Sequence, residues 1–236
     1  WRARTKPEAD AEGRVEAGNA VLPTGWPALD AALPDAGWPL GTLVELLLPA
    51  HGVGELQLLL PALRGLGCGS APGSPTGVTA KAGADAGSAG AGAGATGTGA
   101  WLVWIAPPLA PYPPALAQAG LEPSRVLLVE AEPTQDRLWA MEQALHSRSC
   151  GAVLAWLDAV DDRWLRRLKL AAEPTRTLTV LFRPLARRAQ ASPAALRLAL
   201  EPGDGALEVE ILKGRGGPRR ARVSLEAGVH PHVTRE

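Results

Sequence analysis

Between Thr24 and Leu66 the apolar positions change period from helical to strand-like and back. Trp26, Leu29 and Leu33 recur at helical spacing, with Pro27 in the first turn, where a missing N–H costs no hydrogen bond. Pro34 stops that run, and Gly37 and Gly41 bracket a turn. Residues 42–48 form a β-type run apolar enough to be buried on both faces. After a loop of small residues, Leu56, Leu59, Leu60, Leu63 and Leu66 lie on one stripe of a helix over 55–66. Pro61 should kink it, because the ring removes one hydrogen bond and crowds the preceding turn.

The pattern then lapses. Residues 68–100 are almost wholly Gly, Ala, Ser and Thr, with Val78 the single large aliphatic. Such a stretch cannot bury enough surface to offset its ordering entropy, so it reads as a disordered insertion. Alternation returns with strands over 101–106, 125–130, 152–157 and 177–182, and helices over 113–119, 134–146 and 161–172. Strands and helices at this spacing imply right-handed crossovers and a mostly parallel sheet flanked by helices. The end has period two: Leu196, Leu198 and Leu200, then Leu207, Val209 and Ile211, then Ala221, Val223 and Leu225. That suits an antiparallel meander. Pairing 211 with 221, 209 with 223 and 207 with 225 unites one apolar face and sets Glu210 against Arg222. The result is an α/β fold with one domain over 22–226, an extended polar arm over 1–21 and a tail over 227–236.

Composition narrows the function. The formal net charge is zero, so no global field draws the chain to nucleic acid or membrane. No apolar run is long enough to span a bilayer and no secretory leader pattern opens the chain, which points to a cytoplasmic protein. Cys68 and Cys150 lie far apart without metal-type spacing and read as free thiols. The histidines His51, His146, His230 and His232 form no HExxH or Cys/His cluster, so no metal is implied.

The chain from Val21 onward resembles a RecA-like ATPase core. The likeness is carried by TGWPALDAALPDAGWPLGTLVELLLP, WLVWIAPPLAPYPPALAQAGLEPSRVLLVEAEP, GAVLAWLDAV, TLTVLFRP and the closing meander. Within that superfamily, PTGWPALDAALPDAGWP, LVELLLPAHGVGELQLLLPAL, WLVWIAPP and GAVLAWL, in that order, resemble the ImuA family. The resemblance implies an accessory protein of SOS-induced translesion DNA synthesis. Its implied partners are an ImuB-type Y-family-like protein, a C-family error-prone polymerase and RecA. The division inhibitor SulA, which binds FtsZ, is a relative of the same degenerate type and supplies the alternative reading.

A phosphate-binding loop reads GxxxxGK[ST]: backbone N–H groups and Lys meet the phosphates, and the hydroxyl holds magnesium. Here the frame runs from Pro49 to Leu56. Gly54 is kept, but Pro49 replaces the first Gly, Glu55 the Lys and Leu56 the hydroxyl. A carboxylate at that place repels phosphate by on the order of 4 kcal/mol, where Lys would attract it. Glu55 suits the start of a helix dipole and Leu56 its core stripe. Pro107-Pro108 occupies the place after the 101–106 strand where RecA-like enzymes carry an acid, and proline does no acid–base chemistry. Asp158 is either a remnant of a magnesium-holding acid or a loop residue ahead of the next helix. The expectation is a non-catalytic chain with no cofactor.

Surfaces are the alternative. Arg163, Arg166 and Arg167 lie on one helix, Arg183, Arg187 and Arg188 follow a strand, and Arg215, Arg219 and Arg220 crown the last hairpin. They are candidates for weak DNA phosphate contact or for a protein partner. Trp26 and Trp38 are candidate interface anchors or plain packing; Trp104 and Trp156, inside strands, read as core.

Overall fold

The structure, a computed structural model, describes residues 20–67 and 100–225. The polar arm up to residue 19, the insertion over 68–99 and the tail lie outside the described residues, as do Cys68, His230 and His232.

A short strand, β1 (Val21–Leu22), pairs antiparallel with β2 (Trp38–Pro39), and α1 (Pro27–Ala32) lies between them. This two-stranded sheet was not legible in the period, being two residues wide on each side. There follow β3 (Thr42–Leu48), α2 (Glu55–Gly67), β4 (Trp101–Ile105), α3 (Pro113–Gln118) and β5 (Val126–Val129). Next come α4 (Thr134–His146), β6 (Cys150–Trp156), α5 (Asp162–Ala172) and β7 (Leu178–Pro184). The chain closes with β8 (Leu196–Gly203), β9 (Ala206–Lys213) and β10 (Arg219–Val223).

Eight strands form one sheet in the order β10-β9-β8-β3-β7-β6-β4-β5. From β5 to β8 every pair is parallel, and β8, β9 and β10 are antiparallel neighbours. The expected mixed sheet with a C-terminal antiparallel edge is thus present. β3, which leads into the 49–54 loop, sits near the middle, where both faces are covered and all seven residues are buried.

Alternation sorts the core into two layers. Val44, Leu46 and Leu48 of β3 pack with Leu29 of α1 and Leu58, Leu59 and Leu63 of α2. On this side Trp104, Trp156 and Phe182 stand on three neighbouring strands, with Trp156 stacked on Phe182 at 4.4 Å between ring centroids. Leu43 of β3 faces the other way, among Leu138, Met141 and Leu145 of α4 and Leu165 and Leu168 of α5. Helix α2 runs unbroken through Pro61. The leading segment docks against that turn: Gly25 abuts Pro61 so closely that a Cβ would lie 2.3 Å from the proline ring, and the Trp26 indole donates to the Leu58 carbonyl at 2.9 Å.

The meander register differs from the expected one by two residues. Ile211 pairs with Arg219, Val209 with Ala221 and Leu207 with Val223, and Arg220 and Arg222 lie opposite Glu210 and Glu208. A two-residue slip leaves every side chain on its original face, so alternation alone cannot distinguish the two registers. The turn decides, and here it contains Gly216 and Gly217 in consecutive left-handed conformations (φ +92° and +84°).

Candidate functional site

The loop between β3 and α2 leaves the sheet at the C-terminal ends of the parallel strands, where open α/β sheets hold their ligands. Gly52 (φ +81°) and Gly54 (φ +108°) take the backbone through left-handed turns that a side chain would resist. Glu55 opens α2 and is buried. Its carboxylate reaches back and accepts the Gly52 N–H at 2.9 Å and the Gly54 N–H at 3.1 Å. These are donors of the kind such a loop offers to an anion. The sequence predicts that Glu55 suits the helix start; the geometry adds that its own carboxylate engages two backbone N–H groups of the loop. Leu56, in the first turn of α2, is partly buried against the core layer, and Pro49 is exposed at the strand end.

Beside this loop lies a cleft of about 480 Å³. Leu56 and Leu60 of α2, Trp104 of β4, Leu116 of α3, Ala206 of β9 and Leu225, two residues after β10, line it, with Tyr112 at its side. Among the described residues that line it, Glu55 is the single carboxylate, with no Lys or Arg. Pro107, after β4, is half-buried, and Asp158, after β6, is exposed and lines no part of this cleft. Among the described residues, no group of three or more His, Cys, Asp or Glu could hold a metal ion.

The predicted arginines do not gather into one patch. Arg183 is not a surface residue at all. It is buried on β7, with its side chain fully enclosed, and pairs with Glu45 of β3 at 3.4 Å. Glu45 also accepts from Ser192 Oγ at 2.6 Å and from Arg197 Nε at 2.9 Å. Register explains the cluster: Arg197 lies directly beside Glu45 across β3–β8, and Arg183 beside Leu47, two residues on along the same face. Arg183 also donates to the Gln190 side chain at 2.9 Å and the Val160 carbonyl at 3.3 Å. Burial lowers the Arg183 guanidinium from its ordinary value, and the Glu45 carboxylate works against that fall. Arg197 ties down the Arg187 and Arg188 carbonyls, so the segment after β7 is clamped over Glu45.

The remaining arginines are exposed, and several are paired. Arg166 meets Asp162 at 2.5 Å, Arg167 meets Glu142 at 2.5 Å and lies over the Trp164 ring at 4.1 Å, and Arg188 meets Glu210 at 2.8 Å. Arg220 lies 3.8 Å from that same Glu210, and Arg219 reaches the Ala32 carbonyl at 3.5 Å. Arg163, Arg187 and Arg215 are exposed. Arg215 lies in the β9–β10 turn. Lys213, which precedes the turn, pairs with Arg197 near the start of β8 and donates to the Ser192 carbonyl at 2.7 Å.

Of the candidate anchors, Trp38 in β2 is fully buried and belongs to the core. Trp26 is half-buried and holds α2 through its indole. Sequence reasoning missed the apolar groups that are exposed: Trp139 on α4 (58% accessible), Leu127 and Leu128 on the edge strand β5, and Leu109 and Tyr112 in the loop before α3. The period assigned Trp139 no place on the inner stripe of α4, which was the available signal. It also missed Glu45, Arg197 and Ser192; a single acid inside LVELLL was the sign there.

No protein-family model matches the chain, and no curated protein matches it. Among solved structures the chain is similar to SulA from Pseudomonas aeruginosa, with 23% identity over 60% of this chain and 97% of that one, and a TM-score of 0.40. That likeness is too loose to bear on function. Among the described residues, no helix is long and apolar enough to cross a membrane.

Proposed function

We propose that this chain is a non-catalytic, RecA-like accessory protein of SOS-induced translesion DNA synthesis, similar to ImuA. It acts as an adapter whose partners are an ImuB-type Y-family-like protein, a C-family error-prone polymerase and RecA. The observation that carries the non-catalytic part is the Glu55 carboxylate, which accepts the N–H groups of Gly52 and Gly54 that a phosphate would need. The neighbouring Leu56 brings no metal ligand, and Pro107 stands where an activating acid would be required. The mostly parallel sheet, the loop at its C-terminal edge and the closing meander support a RecA-like reading. The SOS role rests on the ImuA-like segments of the sequence. Exposed Trp139, Leu127 and Leu128 provide apolar area for partners. The dispersed and internally paired arginines give DNA contact a minor part in this reading.

Affinity purification of the full chain from DNA-damaged cells tests the partners. Recovery of an ImuB-type protein with the polymerase supports the proposal. Recovery of FtsZ alone overturns it in favour of a SulA-like division inhibitor. Calorimetry tests the loop: saturable ATP binding that is lost in Asp158→Ala would overturn the non-catalytic reading.

A further inference from the structure

The cleft beside the 49–54 loop is a built cavity, and its lining sets conditions on what could fill it. Its volume, about 480 Å³, falls within the range of small-molecule sites. Its walls are mainly apolar, from Leu56, Leu60, Leu116 and Leu225. Among its described lining residues the one carboxylate, Glu55, holds the loop's N–H donors to itself, and no cation stands alongside. An anionic ligand would therefore meet negative charge with its natural donors already engaged. Trp104 adds a second, independent feature. It lines the cleft, it is 1% accessible, and among the described residues its indole N–H has no hydrogen-bond partner. Buried donors are nearly always satisfied; the indoles of Trp38 and Trp156 are likewise unpartnered among the described residues, but of the three only Trp104 lines the cleft, which suits it to a ligand's acceptor.

We propose that the cleft binds an uncharged, mainly apolar small molecule carrying one hydrogen-bond acceptor such as a carbonyl. Trp104 donates to the acceptor, the leucines of α2 and α3 hold the apolar body, and Glu55 excludes phosphate esters and other anions. The position that would make a nucleotide site has become selective for neutral ligands. This inference rests on the reading that the loop does not take nucleotide.

Three naphthalene probes test it on the full chain by fluorescence titration. N-phenyl-1-naphthylamine is neutral, 1-anilinonaphthalene-8-sulfonate is the same scaffold with an added negative charge, and 6-propionyl-2-dimethylaminonaphthalene is neutral with a ketone acceptor. The two neutral probes should bind saturably at micromolar concentration, and the sulfonate at least tenfold more weakly. Ala115→Trp, which fills the cleft from α3, should abolish both neutral signals while circular dichroism stays unchanged. Trp104→Phe should weaken the ketone probe three- to tenfold and leave N-phenyl-1-naphthylamine within twofold. No saturable binding by the folded wild-type chain, binding that survives Ala115→Trp, or a sulfonate that binds as tightly as its neutral parent would overturn the proposal. Equal effects of Trp104→Phe on both neutral probes would overturn the acceptor contact. ATP calorimetry on the same sample separates the two readings. ATP binding sinks the adapter's silent loop, whereas failure of the probes with ATP also silent sinks only the ligand.

Discussion

Two buried glutamates ten residues apart, Glu45 and Glu55, do opposite things. Glu45 sits in the middle of β3 and bonds to Arg183, Ser192 and Arg197, which lie 138, 147 and 152 residues away in the chain. Glu55 sits at the start of α2 and bonds to backbone one and three residues away. Glu45 therefore joins strands and clamps a crossing segment, while Glu55 closes its own loop. The difference teaches that a buried carboxylate's consequence depends on whether its partners can return to water. The partners of Glu45 are two enclosed guanidinium groups and the half-buried Ser192 hydroxyl; those of Glu55 are N–H groups of an exposed glycine and a half-buried one.

The largest effect should come from Glu45→Ala. It leaves Arg183 and Arg197 buried without their counter-charge, and breaking such a pair costs about 3–5 kcal/mol. Urea denaturation should show the midpoint falling with little change in slope. If the loss is below about 1 kcal/mol, water reaches the cluster and the contrast with Glu55 fails. The triple replacement Glu45→Leu, Arg183→Met and Arg197→Met should recover most of the loss, because apolar groups of similar volume remove the desolvation cost along with the attraction.

Glu55→Ala should cost about 1 kcal/mol, the scale of a lost helix-start hydrogen bond. Its greater effect is chemical: the Gly52 and Gly54 N–H groups become available, so inorganic phosphate should bind measurably by calorimetry where it does not bind to the parent chain. Glu55→Lys combined with Leu56→Thr should strengthen that binding further and allow ATP to bind. It should produce no turnover, because Pro107 still supplies no acid. Turnover in this double variant, followed as phosphate release, would show that a water-activating group exists elsewhere.

Much of the architecture was legible because each element carries its own period. The helix over 134–146 and the strand over 42–48 coincide with α4 and β3 to the residue, since Leu138, Met141 and Leu145 define one stripe and β3 is apolar apart from Thr42 and Glu45. What pairing decides was less legible. The β9–β10 register could slip by two without moving a side chain to the other face. The loop's substitutions were visible as letters, yet the reach of Glu55 back to Gly52 depends on two left-handed glycines, which spacing does not report. Arg183 looked like one of three arginines, with Arg187 and Arg188, that follow a strand. It is enclosed because β7 runs on to Pro184, and position 183 then shares a face with Glu45 and Leu47.

The smallest effect belongs to the exposed pairs, and it bounds the comparison from below. Arg166 meets Asp162 one helical turn away at 2.5 Å, a shorter separation than Glu45 achieves with either arginine. Yet the Arg166 side chain is 70% accessible, so both charges keep most of their water and are screened by salt. Arg166→Ala should change stability by less than about 0.5 kcal/mol, and that small difference should vanish at high salt. Glu45→Ala measured in the same buffers should lose as much at high salt as at low, because ions do not reach the cluster. Distance alone ranks these two pairs in the wrong order. Urea midpoints for both variants at low and high salt would show burial deciding, and an Arg166→Ala loss equal to that of Glu45→Ala would remove that conclusion.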